Sequence, residues 1–284
     1  MSGSRDIVKR FSKLLSAPYW GVMYLKRNGV FIYMEDKNLN YPLVKPKYYY
    51  SLCSDIFSFI KQPHDRRDRE KSTKFKVYDT VGLYLLKFLF LIPVVLFFAY
   101  VYDPDNIQSA SMAERFSPAI LLMVGGILLP FFEEIGFRLS LVFKPVYLAL
   151  SSSVCTYYFL TKAVFSTKIS MVDESFMSRL IISVSLGALL YLIFNIQTIK
   201  KWLASFWAAN FRGIFYFVCI VFAWMHITKY EITLLNVLLL PILTMPQLLS
   251  AIIYGYIRLS FGFIYPLMLH IGMNTAVISI SILI

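Results

Sequence analysis

From residue 81 onward the chain is a succession of long apolar runs divided by short polar stretches. Seven such runs can be traced, at 81–102, 117–138, 145–165, 180–199, 211–228, 233–257 and 260–284. Crossing the hydrocarbon core of a bilayer takes about 20 apolar residues, which these runs approach or exceed. Lipid offers no hydrogen-bond partner to a backbone amide, so each run is predicted to be a helix that satisfies its own amides. Pro93, Pro130, Pro241, Pro246 and Pro266 fall inside the runs, where kinks are tolerated.

Residues 1–80 follow a different pattern. Their apolar patches, at 19–25, 30–34 and 48–60, are too short to span and are interrupted by Pro42, Pro46 and Pro63. Residues 61–76, KQPHDRRDREKSTKFK, read as a solvated juxtamembrane linker in which Asp65, Asp68 and Glu70 dilute the positive charge. The pattern as a whole predicts an all-α fold, a polytopic transmembrane bundle of seven or eight helices. It divides into a basic soluble or membrane-surface region, 1–80, and a membrane domain, 81–284.

Composition strengthens this division. Hydrophobic residues make up 58% of the chain and charged residues 15%, against roughly 25% charged in soluble domains. Mean hydropathy is +0.64. The net charge of +12 does not indicate nucleic acid, because basic residues concentrate in the head and at the ends of apolar runs. Positive-inside bias and anionic lipid account for that placement. The head, Arg138 with Lys144, Lys200 with Lys201 and Arg212, and Arg258 share one side if every run spans. The opposite loops at 103–115 and 166–178 are net acidic. The predicted location is therefore a membrane, with the N-terminus cytoplasmic, and the bacterial inner membrane is the expected one. Cys53, Cys155 and Cys219 form no CxxC pair, so neither a disulfide framework nor a cysteine-ligated zinc is indicated.

The chemistry lies in polar residues placed where apolar ones belong. Ionisable groups within membrane segments are costly and mark function by default. In GGILLPFFEEIGFRLSLVF, residues 125–143, Glu134 and Arg138 stand four apart on one helix face, in the order that suits an ion pair. Glu133 points about 100° away, so one carboxylate can be neutralised by Arg138 while the other faces a cavity. His226 closes the run FAWMH, and His270 and Asn274 share a face in HIGMN. Of three histidines, only His64 lies outside the membrane segments. A neutral imidazole exchanges protons near neutral pH or binds metal, and an asparagine amide can donate to an oxyanion.

The motifs EExxxR (Glu133, Glu134, Arg138), FxxxH (Phe222, His226) and HxxxN (His270, Asn274), in that order, resemble those of the CPBP family (CAAX protease and bacteriocin-processing). These intramembrane peptidases include the type II CAAX prenyl endopeptidases. Pro130 and Phe137 also match the wording around the family's first motif. The resemblance covers about 118–284 and departs from the family in two places. The stretch between Arg138 and His226 is longer than usual, and Leu139 stands where a glycine commonly follows the arginine.

The resemblance implies an intramembrane endopeptidase acting on membrane-embedded or lipid-anchored proteins and peptides. Glu133 would activate water, His226 and His270 would position water or substrate, Asn274 would stabilise the oxyanion, and Glu134 with Arg138 would brace the site. A glutamate and two histidines could equally hold Zn²⁺ with one position open, so the cofactor is left open. Two other readings stand beside this one: an inactive relative serving as scaffold, chaperone or immunity protein, and a transporter with a proton relay. Full spanning by every run would also put His226 about 10 Å or more in depth from Glu133 and His270. Either a segment between 139 and 211 stops short, or kinked helices bring the groups together.

Overall fold

The computed structural model describes residues 22–27, 30–35, 42–65, 67–68 and 71–283. The expectations for residues 1–21 and for Arg66, Arg69 and Glu70 of the linker lie outside the described residues. Besides helices, the described residues include one short antiparallel hairpin. Strands β1 (Val22–Arg27) and β2 (Val30–Glu35) pair with Val22 opposite Glu35 and Arg27 opposite Val30. The intervening sequence is Asn-Gly, the dipeptide favoured in two-residue hairpin loops.

The helices are α1 (Pro46–Lys61), α2 (Thr73–Tyr100), α3 (Ile107–Arg115) and α4 (Pro118–Leu141). They continue as α5 (Pro145–Phe159), α6 (Phe176–Asn195), α7 (Gln197–Met225), α8 (Leu234–Leu238), α9 (Leu240–Leu243), α10 (Met245–Ser260) and α11 (Ile264–Leu283). Five of them are long and apolar enough to cross a membrane: α2, α4, α6, α7 with its continuation to Lys229, and α11. The chain is thus a multi-pass helical membrane protein.

The run at 233–257 is not one helix. Thr233 caps α8 by accepting from the amide of Asn236, and Pro241 and Pro246 stand in the first turns of α9 and α10. These two prolines start helices rather than kink one, because a first-turn residue has no intrahelical use for an amide hydrogen. From Ile253 to Phe261 α10 is buried on every side. It is the central post of the bundle and faces no lipid there.

The linker expected between the runs at 180–199 and 211–228 is also absent. Only Ile196 separates α6 from α7, and Lys200 and Lys201 lie within α7. A break in the helix falls at Asn210 (φ −112°, ψ 15°). Good helix formers through the lysines and alanines carry the helix across a stretch that hydropathy reads as a gap.

Residues 42–80 are tied to the bundle. Leu52, Ile56 and Phe59 of α1 enter the main apolar core, where Phe59 meets Phe215 and Tyr256 edge-on at centroid distances of 5.1 and 5.0 Å. Lys71 Nζ donates to Asp79 Oδ2 at 2.7 Å, and the Tyr48 hydroxyl donates to Asp79 Oδ1 at 2.5 Å. Burial favours the neutral amine, but Asp79 outweighs it and holds Lys71 above the ordinary lysine range.

Serines join α5 to its neighbours. Ser151 Oγ donates to the Ile135 carbonyl of α4 at 2.7 Å, and Ser153 Oγ to the Ser183 carbonyl of α6 at 2.8 Å. Small hydroxyl side chains allow close approach and bond across helices where lipid offers no partner.

Candidate active site

The site is built on α4, whose first half contains a π-helical stretch, Leu122–Leu128. Such stretches recur near functional sites because the extra residue re-aims the helix that follows. Gly125 and Gly126 lie in it against α11. A Cβ on Gly126 would meet Thr275 Oγ1 at 2.8 Å and the Thr275 Cα at 3.3 Å. The glycines therefore let α4 and α11 approach about two turns ahead of the carboxylates.

The two adjacent glutamates have different surroundings. Glu134 is fully buried, its Oε1 3.5 Å from Arg138 Nε and 2.9 Å from His270 Nδ1. The side chain of Glu133 is 20% exposed, lines a cavity, and places Oε2 at 3.7 Å from His270 Nε2. The His270 ring thus lies between both carboxylates. The short contact to Glu134 assigns the donated proton to Nδ1, and Nε2 is turned toward Glu133, beyond direct hydrogen-bond distance.

Arg138 is almost fully buried, and its guanidinium lies over the Phe222 ring at 3.7 Å from the centroid. Nη1 and Nη2 have no hydrogen-bond partner among the described residues, so the aromatic face takes the place of one. Arg258 Nε donates to the Arg138 carbonyl at 3.2 Å and ties α10 to the end of α4.

Phe222 also fixes His226. The two rings stand 4.7 Å apart, and His226 Nδ1 lies 2.7 Å from the Phe222 carbonyl. A carbonyl only accepts, so Nδ1 carries the proton and Nε2 keeps its lone pair. Asn274 Nδ2 is 3.5 Å from the Gly125 carbonyl, a long contact that leaves the amide available.

Glu133, His226, His270 and Asn274 line one cavity of about 730 Å³. The depth conflict posed by the sequence is resolved by where α7 sits. Phe222 packs at the level of Phe137 and Arg138, with Phe137 and Phe222 ring centroids 5.2 Å apart. His226 follows one turn later, where the helix tightens into the turn His226–Lys229.

The same cavity contains residues that the motifs omit. Tyr158, from α5, presents a buried hydroxyl with no partner among the described residues. Lys87 and Lys229 also line it. Lys87 was legible in principle, since it is a lone lysine inside the run 81–102. Nothing in the spacing marks Tyr158.

Among the described residues no three His, Cys, Asp or Glu side chains are gathered closely enough to hold a metal ion. Glu133 and the two histidines share the cavity without the convergence that a zinc site needs. Comparison with known proteins found no matching family model, no matching curated protein and no matching solved structure.

Proposed function

We propose that the protein is an intramembrane endopeptidase of the CPBP type, hydrolysing membrane-associated proteins or peptides with a water activated by Glu133. The observation that carries this reading is the convergence of Glu133, His226, His270 and Asn274 on one cavity from distant parts of the chain. Four desolvated polar groups would each carry a penalty if they faced lipid separately.

The chemistry follows from the contacts. A water between Glu133 and His270 Nε2 gives a proton to Glu133, and its oxygen attacks the peptide carbonyl carbon. The Asn274 amide donates to the resulting oxyanion. Collapse breaks the C–N bond, and Glu133 returns the proton to the leaving amine. Glu134 and Arg138 take no proton. They hold the His270 ring and the end of α4 in place.

The same proposal places the N-terminus in the cytoplasm and the chain in a bacterial inner membrane. It counts seven crossings: the five long helices, α5 extended by its π-helical continuation Leu160–Val164, and α10. The decisive experiment compares membrane-protein N- and C-termini in cells carrying wild type or Glu133→Gln. Termini that vanish in the variant are expected. Identical profiles would discard the peptidase in favour of a binding scaffold.

A further inference from the structure

Two lysines line the cavity with no ion-paired carboxylate among the described residues. Lys87 sits near the middle of α2, where an unpaired ammonium is costly. It donates to Ser250 Oγ at 2.7 Å and stands 5.3 Å from the centroid of the Tyr84 ring. Ser250 in turn donates to the Pro246 carbonyl at 2.8 Å. An ammonium has three hydrogens to donate, so Lys87 keeps two. Lys229 ends the turn after His226 and lies within electrostatic reach of both Glu133 and Lys87. Neither lysine has a carboxylate within ion-pair distance among the described residues, although both line the cavity. Gln247, beside them in the wall, has a buried carbonyl oxygen with no partner among the described residues.

Two ammonium groups facing one cavity in a membrane call for an anion. Glu133 has its near contact with His270 Nε2, at 3.7 Å, and makes no ion pair with Lys229 among the described residues, while Glu134 is committed to Arg138 and His270. The missing charge must therefore arrive with whatever enters. We propose that Lys87 and Lys229 form a carboxylate-binding subsite beside Glu133, selecting peptides with an acidic side chain or chain end close to the bond that is cut. The link to bond cleavage rests on the peptidase reading, whereas the anion site can be measured by itself.

The probe is a dansylated apolar hexapeptide, N-methylated along its backbone to resist hydrolysis, bearing either a free carboxylate or a carboxamide. Binding is measured to the full chain in nanodiscs of zwitterionic lipid. The carboxylate form should bind wild type about tenfold tighter or more, as expected for a charge-assisted contact. Lys87→Gln and Lys229→Gln should each bring the two forms to within roughly threefold. Lys87→Arg should keep the preference, which separates loss of charge from loss of fold. Equal binding of both forms to wild type overturns the proposal. So does dodecyl phosphate binding that depends on the lysines while the peptides show no preference, since the site would then belong to a lipid phosphate. A lysine-dependent preference with no Glu133-dependent cleavage would sink the peptidase and leave this subsite standing. Glu133-dependent cleavage without the preference would do the reverse.

Discussion

Glu133 and Glu134 are neighbours in sequence and differ in their surroundings. Glu134 shares its oxygen between Arg138 and His270 in a buried setting, so removing one partner leaves an uncompensated charge. Arg138→Leu should destabilise the protein by about 3–5 kcal/mol, read as thermal unfolding in detergent. Glu133→Gln keeps shape and faces the cavity, so it should abolish cleavage and leave the melting temperature close to wild type. A Glu133→Gln protein that melts far below wild type would break this assignment. Asp173, in the loop before α6, supplies a pH prediction. Ser175 and Thr167 donate to its carboxylate, and the buried Arg179 pairs with it at 3.0 Å. These contacts, the two hydroxyls first, hold its pKa down to about 2. A depressed carboxylate stabilises above its unfolded value, about 3.9, and that contribution is lost as pH falls through the folded one. Protection of the 166–175 loop, measured against intrinsic exchange at each pH, should therefore fall between about pH 4 and pH 2. Asp173→Asn should exchange faster already at neutral pH and lose this dependence.

At the scale of elements, close approach decides what composition leaves open. The π-helical stretch of α4 meets α11 across Gly126, and there a side chain would press on backbone, which cannot rotate away. Gly126→Val should cost about 1–3 kcal/mol by overpacking. It should also reduce turnover without touching any polar group of the site. Unchanged stability in detergent unfolding would show that the helices can part and that the glycine is incidental. The short α10 shows the other side of the same physics. It begins with the first-turn Pro246 and is followed by a positive-φ glycine, Gly262 (φ 115°), which together limit its length. Burial on all sides then makes it a post that carries Tyr254 and Arg258 to the site.

For the whole molecule, charge distribution predicts orientation. A single reporter cysteine at Lys74 or Lys201 should be labelled only from the cytoplasmic side, and one at the exposed Ile232 only from the other. Labelling of Lys74 from outside intact cells would invert the topology. Much of this architecture is legible in the chain, because hydropathy and the demand for internal amide bonding act residue by residue. The helical class and the membrane location follow from hydropathy, and the different surroundings of Glu133 and Glu134 follow from their helical spacing. Five of the seven apolar runs correspond to long helices. The run at 233–257 was misread as a single helix because hydropathy is blind to proline position. The gap at 200–210 is helical instead because helix propensity outlasts apolarity there.

What tertiary structure decided is depth and company. Phe222 stacks on Arg138 and so sets the level of α7, which brings His226 to Glu133 and His270. No period in the sequence encodes that contact, since it depends on how far α7 slides along α4 before its aromatic ring finds the guanidinium. Tyr158 and Lys229 enter the cavity by the same route, carried there by the packing of their helices. Spacing identifies which residues share a face, while only packing settles which faces share a space.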